Sequence, residues 1–129
     1  MYLHTYSYES NGAYIYYLYY SKSPVPVREL QNLVNNPDII GLIRYVIRDD
    51  DDEGTITHMS VIPEYRGQGF AKRLLREVVK RMSKVGIQII ELDDSSDRSR
   101  RGNNIYVNFG FKYVDDYGPE MVGIVSELL

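Results

Sequence analysis

The sequence predicts an α/β or α+β domain, built as a mixed, mostly antiparallel, twisted sheet of about seven strands with helices on both faces. Three observations predict it. Most segments between turn signals are short runs rich in Tyr, Ile and Val, residues that favour extended chain. One long segment, Phe70–Val85, instead repeats its apolar residues at helical spacing. The strands come first and a strand–helix–strand order follows, which sets two strands parallel on either side of the long helix. A length of 129 residues suits one domain.

Tyr2–Tyr8 and Ala13–Tyr20 read as strands joined at Asn11-Gly12, two residues that tolerate positive φ in a hairpin turn. Val27–Val34 reads as a short helix presenting Leu30, Leu33 and Val34, ended near Pro37. Ile39–Arg48 and Thr55–Ile62 are the next two strands, and the acidic run Asp49–Glu53 is the turn between them. In Phe70–Val85, residues Ala71, Leu74, Leu75, Val78, Val79, Met82 and Val85 make one stripe, with Gly86 as the stop. Ile87–Leu92 is almost continuously apolar, so it is expected to be central and covered on both faces. Asp93–Gly102 is polar loop, Asn103–Phe109 a short helix closed by Gly110, and Phe111–Val114 and Met121–Ser126 the last strands.

Composition excludes several classes of function. There is no cysteine, hence no disulfide, thiolate metal site or cysteine nucleophile. A net charge of -3 argues against nucleic-acid binding. No apolar run is long enough to cross a bilayer and no leader is evident, so a soluble cytoplasmic chain without membrane partners is expected. Eight of the 13 tyrosines fall in the first twenty residues. They read as strand-forming residues rather than as a ligand surface.

The segment Val61-Ile62-Pro63-Glu64-Tyr65-Arg66-Gly67-Gln68-Gly69-Phe70-Ala71 links a strand to the long helix. Two glycines one residue apart let successive N–H groups converge, and the helix start adds its own unpaired N–H groups and positive dipole end. That arrangement suits a phosphate or pyrophosphate. The segment matches neither a P-loop nor the dinucleotide fingerprint.

Arg66, Gly69 and Ala71, with the preceding Val61, Pro63 and Tyr65, resemble the coenzyme A motif of the GNAT superfamily of N-acetyltransferases. Downstream, Tyr106-Val107-Asn108-Phe109-Gly110-Phe111 resembles the segment that ends that family's last helix. The resemblance implies a GNAT-like fold, and acetyl-coenzyme A as cosubstrate for direct acetylation of a primary amine in a ternary complex, with no metal. It implies main-chain contacts from Met59, Ser60 and Val61 to the pantetheine arm. It further implies a pyrophosphate seat from Arg66, Gly67, Gln68, Gly69, Phe70, Ala71 and Lys72. Tyr106 falls where the family places its general acid. For the base, Glu91 is the first candidate, with His58 and water as alternatives, because Thr55 stands where many members carry glutamate.

Ser99 and Gly102 replace a family asparagine and alanine, and Asn103 or Asn104 is the substitute expected to meet the cofactor. Arg98, Arg100 and Arg101 are within the same loop, as phosphate partners or as a solvated cluster. The N-terminal third departs most, with a tyrosine hairpin and one short helix where the family has two helices. This implies a reduced helical region and an acceptor site that is open, or completed by another subunit in a homodimer. The acidic turn favours a cationic acceptor. The alternatives are a catalytically degenerate acyl-coenzyme A-binding module and, least favoured, a nucleic-acid or protein adaptor.

Overall fold

The computed structural model describes residues 1–49, 51–96 and 98–129, the side chain of Arg98 excepted. The strands β1 (Tyr2–Ser10) and β2 (Ala13–Ser21) form a hairpin closed by Asn11 and Gly12, both at positive φ (51° and 78°). β3 (Ile39–Arg48) and β4 (Glu53–Val61) follow, then helix α1 (Phe70–Lys84) and β5 (Ile89–Asp93). Helix α2 (Ile105–Phe109), β6 (Lys112–Tyr113), β7 (Glu120–Ile124) and the one-turn helix α3 (Val125–Leu128) complete the chain. The sheet order is β1-β2-β3-β4-β5-β7-β6, antiparallel except for the β4–β5 pair that flanks α1. This is the mixed sheet expected.

α1 is the keystone of the core. Phe70, Leu74, Leu75, Val78, Val79 and Met82 are its buried residues. All but Phe70 pack with Leu18, Ile43, Tyr45, Ile56, Ile90 and Leu92 from the sheet and with Phe111, Val125 and Leu128. Each such side chain contributes roughly 1.5–3 kcal/mol on burial. The helical cover is unequal: α2 and α3 join α1 in this cluster, whereas a 3₁₀ turn and Leu33 cover Tyr19 and Ile39 in a second cluster.

Four expectations are corrected. Val27–Val34 makes only a 3₁₀ turn at Leu30–Asn32, with no side-chain cap. A segment confined between Pro26 and Pro37, anchored by Leu33 while Val34 faces solvent, cannot offset helix nucleation. Phe70 rather than Val85 completes the α1 stripe; Val85 lies beyond the last turn and is 65% exposed. β5 is buried on one face only, since Ile90 and Leu92 point into the core while Glu91 and Asp93 are exposed. The last strand stops at Ile124, where the chain turns into α3 to bury Val125 and Leu128.

Candidate functional site

β4 is broken in its middle. Tyr45 pairs with Ile56 and Arg44 with His58, so Thr57 is an extra residue without a partner on β3. A bulge of this kind bends and twists its strand. Arg44 holds it: its Nη1 donates to the Thr57 hydroxyl at 2.8 Å, and its Nε donates to the Tyr17 hydroxyl at 3.0 Å. The consequence falls on the opposite edge, where β5 pairs with β4 from Glu53 to Ile56 and no further. Beyond Thr57 the two strands part.

The Ile62 N–H donates to the Ile40 carbonyl at 2.9 Å. Antiparallel alternation then turns the main-chain groups of His58 and Ser60 toward β3, and those of Met59 and Val61 toward the gap.

The gap leads to the strand-to-helix loop. A 3₁₀ turn at Pro63–Tyr65 is followed by Gly67 and Gly69 at φ 78° and 87°. Only glycine adopts that region freely. No heavy atom lies within 4 Å of where a Cβ would stand on either one, so the space above the loop is open. Among the described residues, the N–H groups of Gly67, Gln68, Gly69, Phe70, Ala71 and Lys72 have no intramolecular acceptor. The first helical bond runs from Arg73 N–H to the Gly69 carbonyl at 3.0 Å. Six such donors at a positive helix end are able to seat an anion. The Arg66 and Gln68 side chains bind the loop itself: Arg66 Nε donates to the Val61 carbonyl at 2.9 Å, and Gln68 Nε2 to the Glu64 carbonyl at 3.2 Å. Beside the seat, a cavity of about 390 Å³ is lined by Lys72, Arg100, Asn103, Asn104 and Asn108.

Asn104 is buried and caps α2, accepting from the Tyr106 and Val107 N–H groups at 3.0 and 3.2 Å. Its Nδ2 faces Asp94, the Arg100 carbonyl and the Tyr113 hydroxyl, all within 3.2 Å. This side chain is therefore fully engaged in holding α2 to the end of β5. Gly102, at φ 79°, makes the turn that brings its N–H to the Tyr113 hydroxyl. Arg101 is likewise structural: it stacks over the Tyr113 ring and donates to the Asp115 carbonyl.

Tyr106 is half-buried, with its ring edge-on to Phe111. Burial, then the negative charge of Asp94, raises its pKa and keeps the phenol protonated. Glu91 projects from the opposite face of the sheet into a cleft of about 460 Å³, lined also by Thr55, Thr57, Asp93 and Glu120. A second cavity of about 220 Å³ shares Thr55, Thr57 and Glu91 and adds Asp51 and Glu53. Tyr106, packed against the core on the α1 side, and Glu91 thus lie on opposite faces of the sheet. His58 is exposed beyond the bulge.

The sequence reading missed Glu53, taken as part of the acidic turn. It begins β4 two residues before Thr55, on the same strand face, one step from Glu91 across the parallel pair. The charge of Glu91, then burial, raises the Glu53 pKa. Alternation from Thr55 was the available signal. Of the rest of the acidic run, Asp50 lies outside the described residues. No cluster able to hold a metal occurs among the described residues.

The model of the acetyltransferase (GNAT) family matches residues 3–111. The ribosomal protein bS18-alanine N-acetyltransferase of Haemophilus influenzae is 31% identical over 94 residues, 70% of this chain and 62% of that protein. The PaiA N-acetyltransferase of Thermoplasma acidophilum, solved in complex with coenzyme A, superposes with TM-score 0.53 at 27% identity. That alignment covers 65% of this chain and 51% of that one. The ribosomal-protein-S18-alanine N-acetyltransferase of Escherichia coli shares the fold, with TM-score 0.51 at 18% identity over 88% of this chain and 67% of that one. This chain therefore spans about three fifths of the curated relative's length and half of the coenzyme A-bound structure's.

Proposed function

Because the chain belongs to the acetyltransferase (GNAT) family, we propose that it transfers an acetyl group from acetyl-coenzyme A to a primary amine. The observation that carries this reading is the conjunction of the parted β4–β5 edge with six free N–H groups at the adjoining loop. A pyrophosphate fits the loop, and a strand-like amide arm fits the gap. The open space over Gly67 and Gly69 supports the fit.

In this reading the main-chain groups of Met59 and Val61 align the arm, with Ser60 between them. The donors from Gly67 to Lys72 hold the diphosphate, and Lys72 and Arg100 line the neighbouring cavity. A β4 N–H facing the gap stabilises the oxyanion formed when the amine nitrogen attacks the thioester carbonyl. As the C–S bond breaks, Tyr106 supplies the proton taken up by the thiolate. Glu91, coupled to Glu53, accepts the proton lost from the amine, directly or through water. The charge of Glu91, then burial, raises the pKa of Glu53, which can hold a proton passed on to it. The acceptor enters from the Glu91 face, where Asp51, Glu53, Asp93 and Glu120 favour a cationic amine.

The test is calorimetry with acetyl-coenzyme A, paired with release of coenzyme A across cationic, neutral and anionic amines. Micromolar binding with turnover of cationic amines is the expected result. Binding without turnover of any amine returns the reading to a degenerate acyl-coenzyme A-binding module. No binding sinks both.

A further inference from the structure

We infer that the outer edge of β1 pairs antiparallel with β1 of a second copy, joining two sheets into one across a two-fold axis. The two edges of the sheet are treated differently. β6, at one end, is two residues long and carries Lys112, features that blunt an edge. β1, at the other, runs nine residues without Pro, Lys or Arg, and Glu9 is its only carboxylate. Tyr2 is 47% exposed there and Leu3 37%.

The register follows from the hairpin. The two-residue turn makes Ser10–Ala13 the closing hydrogen-bonded pair, so Tyr2, His4, Tyr6, Tyr8 and Ser10 bond inward to β2. Leu3, Thr5, Ser7 and Glu9 therefore direct their N–H and C=O groups outward, two groups on each of four residues. Among the described residues nothing meets them. One symmetric register uses all four: Leu3 faces the partner's Glu9 and Thr5 faces the partner's Ser7, while Tyr6 meets the partner's Tyr6 on the axis. No like charges oppose one another in it.

Side chains agree on both faces. Tyr6 and the His4–Tyr8 pairs fall at the closer, non-hydrogen-bonded positions, and extend the aromatic contacts that His4 and Tyr6 already make with Tyr19 and Tyr17. On the α1 face, Arg81 reaches β1, its Nη1 donating to the Thr5 hydroxyl at 2.7 Å. In this register the partner's Glu9 is diagonal to Thr5 and within reach of that guanidinium. Two such pairs form per dimer, of opposite charge.

Sedimentation of the purified protein tests this together with Tyr6→Lys and Tyr6→Glu, which set like charges on the axis. A dimer is expected for the parent chain, monomers for each variant alone, and a restored dimer when the two variants are mixed in equal amounts. Circular dichroism verifies that the variants fold. Should they not, hydrogen exchange of the parent chain decides. Amides of Leu3, Thr5, Ser7 and Glu9 are then protected at high concentration and lose protection on dilution, while the inward amides of Tyr6 and Tyr8 stay protected. A parent chain that is monomeric at about 100 µM, well above typical specific affinities, overturns the inference. So does a dimer that survives both substitutions, folded variants that fail to re-pair on mixing, or outward amides that exchange freely at high concentration.

Discussion

The two halves of β4 have the same neighbour on one side and opposite fates on the other. From Gly54 to Ile56 the strand is paired on both edges, with Gly54 and Ile56 packed beneath α1. From His58 to Val61 it keeps β3 and loses β5. One extra residue separates the two conditions. A paired backbone satisfies itself and stores stability, whereas an unpaired one retains donors and acceptors for a ligand. In the proposed reading, a site of this kind is made chiefly by withholding main-chain partners, with few side chains needed to create it.

Four measurements break or sharpen that contrast. The largest effect is expected from Tyr106→Phe, the acid proposed to act at the open half. It should lower kcat about 10²- to 10⁴-fold and leave coenzyme A affinity unchanged; an unaltered kcat removes the tyrosine from the chemistry. Gly69→Val forces a branched residue to φ 87° and fills the space above the loop. Coenzyme A affinity, read by calorimetry, should fall on the order of 100-fold.

The sheet flanking the closed half, where β7 pairs with β5, should behave in the opposite way. A Cβ at Gly123, on the strand beside β5, meets Leu128 Cδ1 at 2.7 Å and Phe111 Cδ1 at 2.8 Å. Gly123→Ala is expected to cost about 1–3 kcal/mol in denaturant unfolding with affinity preserved. A loss of affinity at unchanged stability reverses the distinction between the halves.

The smallest effect concerns pH. Tyr45 sits opposite Ile56, at the last closed position, and burial pushes its pKa up to about 12. Its folded value exceeds its unfolded value near 10, so its contribution is complete below pH 10 and is lost as pH climbs toward 12. Tyr45→Phe should flatten that alkaline decline in a thermal melt series.

Much of this architecture was legible in the sequence. Branched residues gave β3 its bounds, Ile39–Arg48, and the 3.6-residue repeat with Gly86 placed α1 to within one residue. The loop was readable too, because a need for positive φ writes itself as glycine. What escaped depends on partners distant in the chain. Thr57 has no local mark of a bulge, since the bulge exists only in its register with Arg44 and Tyr45. Glu53 looked like one more acid in a turn until the parallel pair set it beside Glu91. Ile87–Leu92 promised burial on both faces, but no element covers Glu91 and Asp93, and hydrophobicity alone does not reveal which face lacks a cover. The cap that Asn104 makes for α2 also escaped, because only the folded β5 end explains it.

Arg66 alters the polarity of the parted edge. By donating to the Val61 carbonyl, its guanidinium engages one lone pair of one of the two acceptors that β4 turns toward the gap, while both donors, on Met59 and Val61, stay available. An edge weighted in this way favours a guest that turns carbonyl oxygens toward it.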